Sequence, residues 1–352
     1  MGKPVLHNSA MRFQDEPVVE QGQGPCVGVL LVNLGTPRAP APAAVRRYLA
    51  EFLSDPRVVE LPRPLWLPIL HGVVLRTRPS RSAAKYAKVW TAGGSPLAVW
   101  NARQAVLLGE GLGALGVSAR VHAAMRYGEP SIGGGLDELK ARGCRHILVL
   151  PLYPQYAAST TASAVDAAGA WAARQRRLPE LRFVNQFHDD AGYIGALAAR
   201  IRGYWQEHGQ PDRLVMSFHG LPERAVRLGD PYRQQCEQTA RLLAACLELE
   251  EGRWLLTFQS RMGRARWLEP ATLPTLERLG GQGAGRVDVV CPGFVSDCLE
   301  TLEEIGLQGR AAFQAAGGRE LHAIACLNDH PAWIAALAQI ARRHLQGWPV
   351  QG

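Results

Sequence analysis

The chain has 352 residues, a net charge of +8, 47% hydrophobic and 20% charged residues, the balance of a soluble globular protein too long for one ordinary core and comfortable for two lobes. No apolar run approaches the roughly 18 residues of a membrane span, and no zinc-finger spacing, recognition helix or RNA-binding signature accompanies the basic charge, so nucleic acid is set aside and a polycarboxylate or a phospholipid surface remains. The seven cysteines are thinly spread, odd in number and without a C-x-x-C, which argues against a disulfide framework and for a reducing, cytoplasmic compartment.

Residues 1–25 mix Lys3, Arg12, Asp15, Glu16 and Glu20 with no apolar core and are expected as a flexible arm, neither signal nor transit peptide. Val27 to Gly35 is a continuous apolar run closed by Asn33, Gly35 and Pro37, the pattern of a buried parallel strand. Pro42 to Phe52 is predicted helical, with Val45, Tyr48, Leu49 and Phe52 on one face. Residues 62–81 read as a lip: Leu65-Trp66-Leu67-Pro68-Ile69-Leu70, then Arg76, Arg78 and Arg81, a greasy edge with a basic rim suited to an amphiphilic anion or a membrane surface. A turn at Gly93-Gly94-Ser95-Pro96 precedes a helix from Leu97 to Leu112, a strand from Arg120 to Met125, a helix from Ile132 to Ala141 and a strand from His146 to Leu152. Hydroxyls at Ser159, Thr160, Thr161 and Ser163 head a helix through Trp171.

Leu181 to Val184 is the next predicted strand and Tyr193 to Glu207 the next helix. Leu214 to Phe218 is an apolar run that delivers His219 at its tip, where Gly220 and Pro222 end it. After it come a helix from Pro231 to Leu249, strands at Trp254 to Phe258 and Val287 to Cys291 around a helix at Leu273 to Leu279, a helix from Leu299 to Ala316, a strand from Leu321 to Cys326, and a closing helix from Trp333 to Leu345. Strands alternating with helices imply an α/β protein with parallel sheets. LLVNLGTP echoes LVMSFHGLP, and LVLPLYP echoes VVCPGF, which suggests two similar lobes at 26–175 and 176–326, with residues 327–352 packing back on the first.

In open α/β sheets ligands bind beyond the strand tips, so His219 and the acids after Cys291 are the candidate chemistry. The plain reading of His219 is a turn histidine tied to a carbonyl. That of Glu300 is the N3 acid of a capping box begun by Asp297. A capped helix entering a cleft can still present its first-turn acid, and Glu304 lies one turn further on the same face. Like charges so placed need water, a cation or a proton. The Gly-rich runs 111–116 and 280–285 end helices and precede strands, the wrong context for a dinucleotide site.

The blocks LLVNLGTP, KYAKVWTAGGSPL, MRYGEP, LPLYPQYAASTTAS, SFHGLPER, TFQSRMGRARWLEP and CPGFVSDCLETLEEI, in this order, resemble the ferrochelatases. The resemblance implies two Rossmann-like lobes of the chelatase fold around a cleft, and a lyase that inserts Fe2+ into protoporphyrin IX as the last step of haem synthesis. It implies His219, Glu300 and Glu304 as catalytic, His219 and Glu300 as metal-contacting, and Arg78, Arg81, Ser95, Tyr86, Arg126 and Tyr127 as substrate-binding. Iron is then a substrate and no cofactor is resident. No cysteine follows Cys326 to hold the iron–sulfur cluster that some relatives carry, and Cys298 stands where others have a second histidine. Asn33-Leu34-Gly35 lacks the tyrosine of coproporphyrin-using relatives, which favours protoporphyrin. The alternatives are a chelatase for another metal or ring, such as cobalt and sirohydrochlorin or coproporphyrin, and a non-catalytic tetrapyrrole carrier.

Overall fold

The computed structural model describes residues 13–16, 26–261, 263 and 265–350. Its strands are β1 (Cys26–Gly35), β2 (Ala119–Tyr127), β3 (Cys144–Pro151), β4 (Glu180–Phe183), β5 (Arg213–His219), β6 (Trp254–Gln259), β7 (Arg286–Val290) and β8 (Glu320–Ala323). They form two four-stranded sheets, ordered β2-β1-β3-β4 and β6-β5-β7-β8, and every pairing is parallel. The orders are the same order twice. The sequence echoes fall on equivalent strands, β1 with β5 and β3 with β7.

Two further equivalences link the halves. Met125 N donates to the Pro130 carbonyl after β2, and Phe258 N donates to the Pro270 carbonyl after β6. VNQFHDDAGYIGALA after β4 matches IACLNDHPAWIAALA after β8, at a constant offset, and each leads into a helix. These helices, Ala191–His208 and Pro331–His344, are exchanged between the lobes. The first packs on the second sheet, with Trp205 Nε1 donating to Asp288 on β7 at 2.8 Å and Tyr204 Oη 3.0 Å from His322 Nδ1 on β8. The second leads back to the first sheet, where Arg182 donates to the His344 carbonyl at 3.1 Å and Trp348 to Glu180 at 2.9 Å. Trp333 and Tyr193 are fully buried where the helices meet. Truncating such a tryptophan typically costs about 3–5 kcal/mol.

Both faces of each sheet are covered, which is why β1 reads as unbroken apolar sequence. Val27, Val29 and Leu31 face a core that also receives Leu214, Met216 and Phe218 of β5, so the lobes share one interior. Leu30 and Val32 face a separate core with Leu136, Ile147 and Trp171, and Val215, Val287 and Val289 a third with Leu276, Ile305 and Phe313.

Several expectations are corrected. The lobe boundary at 175/176 falls before β4, which pairs with β3, so the first sheet runs through Phe183. Cys26 and Cys144 form a disulfide with Cα atoms 4.5 Å apart. Cysteine spacing cannot reveal a pair brought together by the register of β1 on β3. The helix expected over Leu299 to Ala316 is a π-helix at Glu300–Gly309 followed by an α-helix at Arg310–Ala315. Most of the 1–25 arm lies outside the described residues, as do Met262 and Arg264 of the TFQSRMGRARWLEP block. Residues 13–16 are not loose: Glu16 meets Lys140 at 2.7 Å and Gln14 N donates to the Arg174 carbonyl.

Candidate functional site

His219 sits at the tip of β5 and is half-buried. Its Nδ1 lies 2.7 Å from the Gly220 carbonyl. A carbonyl only accepts, so in the neutral ring Nδ1 carries the hydrogen and Nε2 keeps the lone pair. The plain reading of a turn histidine therefore accounts for one nitrogen and leaves the other for chemistry. Gly220 is needed here, because a Cβ would stand 2.8 Å from the Gln259 carbonyl. That approach lets Gly220 N donate to the same carbonyl at 2.7 Å and holds the β5 and β6 tips side by side.

Gln259 lies opposite His219 in the β5–β6 ladder. Its Oε1 accepts from Ser217 Oγ at 2.6 Å, and its Nε2 donates to the Glu300 carbonyl at 3.0 Å. One fixed amide thus ties the histidine's strand to the first residue of the π-helix. Asp297 does not cap that helix. Its carboxylate accepts from Thr301 Oγ1, Cys326 N and Asn328 Nδ2 at 2.9, 3.2 and 2.7 Å. The capping-box reading of Glu300 fails with it. Glu300 makes itself felt in both lobes: on Cys298 and Glu304 of its own, and on Tyr48, Arg78 and Tyr86 of the first.

Ser260, in the left-handed region at φ 64°, turns the chain after β6 so that its N–H and hydroxyl both reach Glu304, at 2.7 and 2.5 Å. Burial nevertheless raises the Glu304 carboxyl above its usual range, with the Glu300 charge adding to the rise and Ser260 and His219 opposing it. A raised carboxyl binds its proton more tightly in the folded than in the unfolded chain. Ionisation therefore costs stability as pH rises through the folded value, and nothing is lost below the unfolded one. Glu304→Gln, which mimics the protonated acid, is expected to melt above the parent at pH 8 and not above it at pH 4. Calorimetry at both pH values checks this, and a Gln variant less stable than the parent at pH 8 contradicts it.

The first lobe supplies the facing wall. Tyr86 is buried on the helix Leu75–Val89, edge-on to Trp90 and within reach of Thr36. Ser95 is buried too, its Oγ accepting from Thr36 Oγ1 at 2.8 Å. Arg78 opens onto solvent, yet enough protein surrounds it that desolvation lowers its guanidinium, against the pull of Glu300 and Tyr48. Arg81 is exposed. The other first-lobe candidates are occupied. Tyr127 is fully buried and donates to Asp55 at 2.8 Å. Arg126 donates to Asp55 at 2.6 Å and to Ser163 Oγ at 2.6 Å. Asp55, after the first helix, thus collects hydrogen bonds from both β2 residues and from Ser163.

Outside the wall, Leu61, Leu65, Ile69 and Val73 recur every fourth residue and are 51, 67, 47 and 58% exposed. Leu61 precedes the helix Arg63–Ile69, Leu65 and Ile69 lie on it, and Val73 lies on the π-helical turn Leu70–Val74. Gln259, Ser260 and Asp55 were assigned no role from sequence. Gln259 and Ser260 lie in the TFQSRMGRARWLEP block, the one signal that could have found them. Among the described residues no three His, Cys, Asp or Glu side chains group closely enough to cage a metal ion, and no helix is long and apolar enough to cross a membrane.

The family model described as Ferrochelatase matches residues 26–345. Proteins named Ferrochelatase are similar along nearly the whole chain: that of Methylibium petroleiphilum is 62% identical over 341 residues, covering 97% of this chain and 94% of the relative, and that of Bordetella pertussis is 58% identical over 334 residues, covering 94% and 92%. Among solved structures, SirB from Bacillus subtilis with Fe3+ superposes with a TM-score of 0.53 at 16% identity, covering 90% of this chain and 95% of SirB. CbiX, from siroheme biosynthesis in denitrifying bacteria, gives 0.50 at 16%, covering 91% and 100%. At such identity these two show the shared fold of paired parallel sheets.

Proposed function

The chain belongs to the ferrochelatase family, lyases that insert Fe2+ into a porphyrin in haem synthesis, and from that premise we propose that His219, Glu300 and Glu304 carry the reaction and that the ring is protoporphyrin IX. A free porphyrin holds two pyrrole N–H protons that leave as the metal enters, so the balance is porphyrin and Fe2+ in, haem and two protons out. The Nε2 lone pair of His219 accepts a proton from the ring. Glu300 faces the same space and passes protons on or gives Fe2+ an oxygen ligand beside the imidazole nitrogen. Glu304, poised by burial to hold a proton, links Glu300 to the Ser260 turn. A metal that must leave in the product suits an incomplete donor set such as His219 with Glu300, and no resident cofactor is proposed.

The observation that carries this reading is the Gln259 amide, which couples the histidine's strand to the backbone of Glu300. Arg78 and Arg81 are proposed to hold the propionates by charge-assisted bonds, with Ser95 and Tyr86 beneath. Anaerobic mixing with protoporphyrin IX and Fe2+, followed by absorbance, tests the function. Turnover of sirohydrochlorin with Co2+, or of coproporphyrin, in preference to protoporphyrin overturns the choice of ring.

We propose further that the protein's lip touches the membrane surface where porphyrin partitions. Each half-exposed side chain of the Leu61, Leu65, Ile69 and Val73 stripe gains roughly 1 kcal/mol on burial, and Arg63 and Arg76 beside it favour anionic lipid. Leu65→Asp with Ile69→Asp is expected to weaken sedimentation with phosphatidylglycerol-containing vesicles at least about 10-fold. Unchanged sedimentation contradicts the proposal.

A further inference from the structure

Three acids lie close together on the π-helix Glu300–Gly309, and they do not face one way. Glu304 turns to Ser260, and Glu300 acts on Arg78 and Tyr86 of the first lobe. Glu303 points at the helix Leu75–Val89, and its side chain is 2% exposed. A buried carboxylate is costly unless ionic partners and hydrogen bonds replace its water. Here the partners come from the other lobe: Lys85 Nζ lies 3.4 Å from Oε2 and Lys88 Nζ 3.3 Å from Oε1. Within the helix, Gln308 Nε2 donates to Oε2 at 2.5 Å.

The lysines flank Tyr86, on the helix Leu75–Val89 that also carries Arg78 and Arg81. One turn of the helix Leu75–Val89 thus meets one turn of the π-helix. Lys85 and Lys88 meet Glu303, while Tyr86 between them feels the charge of Glu300. The pairing exists only when the two helices are docked. Withdrawing the helix Leu75–Val89 would leave the Glu303 charge without its cations in a site that water reaches poorly.

We infer that Glu303 is a positioning residue for metallation: with Lys85 and Lys88 it clasps the ring-holding helix to the acid-bearing helix and so sets how close a bound porphyrin comes to Glu300 and His219. This rests on the reading of Glu300 and His219 as the groups that handle metal and protons. A second ion pair also bridges the lobes, Arg224 Nη1 to Glu60 at 2.6 Å, but its side chains are 61 and 44% exposed. Such pairs contribute little, and this one serves as the control.

The test uses the full-length protein, protoporphyrin IX and Fe2+ under anaerobic conditions. Glu303→Gln keeps the shape and removes the charge. It is expected to melt within a few degrees of the parent and bind porphyrin within about threefold. Its kcat at saturating substrates should fall about 10-fold, the scale of a small misplacement of reacting groups. Lys85→Met with Lys88→Met should reproduce the loss, and adding Glu303→Gln should deepen it little, because the three act as one unit. Lys85→Arg with Lys88→Arg should retain most of the rate. Glu60→Gln should stay within about twofold of the parent. A Glu303→Gln kcat within twofold of the parent overturns the inference, as does an equal loss in Glu60→Gln, which would mean general loosening of the lobes. If Glu303→Gln does not fold, the lysine variants decide by the same criterion, since both lysines are partly exposed. His219→Ala run alongside separates the two levels: its retaining the parent rate sinks the reading of the site, whereas its failing while Glu303→Gln turns over normally sinks the clasp alone.

Discussion

His219→Ala is expected to fold, to bind porphyrin, and to metallate it at least about 100-fold more slowly than the parent, within the range of general acid–base contributions. The fold should survive because the imidazole is only half-buried and its hydrogen bond to the Gly220 carbonyl joins neighbouring residues. The strand tip is held by backbone, through Gly220 N on the Gln259 carbonyl. Affinity should survive because a porphyrin is bound chiefly by burial of its flat apolar surface and by the arginines at its propionates. What is lost is Nε2, the lone pair proposed to take a pyrrole proton. Fluorescence titration measures the binding and stopped-flow absorbance the metallation. A variant that binds the ring and metallates it at near the parental rate removes His219 from the mechanism.

Glu300→Gln is expected to lose at least about 100-fold as well, and for a separable reason. Gln259 holds the Glu300 backbone carbonyl, not its carboxylate, so the substitution should leave the π-helix where it is. Glutamine keeps the volume and an oxygen, but it neither takes a proton near neutral pH nor offers iron a charged ligand. Glu304→Gln should lose less, because Glu304 is turned towards Ser260 and already inclined to hold a proton. If His219 and Glu300 act as one unit, the double variant should be little slower than either single one. Additive losses would mean that the two serve separate steps, and a Glu300→Gln rate near the parent would return the acid's role to Glu304.

Elements whose signal is local were legible in the sequence. Unbroken apolar runs ending at Gly and Pro marked β1 and β5, because a strand covered on both faces has no polar positions to alternate. The run Leu214 to Phe218 placed His219 at a tip, and the ordered motif blocks carry the family resemblance. Where side chains separated by many residues meet was not legible there. Asp297 and Glu300 have the spacing of a capping box, yet Asp297 is taken by Asn328 and Cys326, residues that only the fold brings near. Arg126 and Tyr127 sit in a motif block, but that both donate to Asp55, 71 and 72 residues away, shows only in the fold. Cys26 and Cys144 meet through the register of two strands. Nothing in the local sequence of Glu300–Gly309 marks a π-helix, and the lysines that meet its Glu303 come from the other lobe. Period and punctuation are properties of neighbouring residues and survive in one dimension. The partner of a buried charge lies across a cleft, and it is found only when the chain has folded.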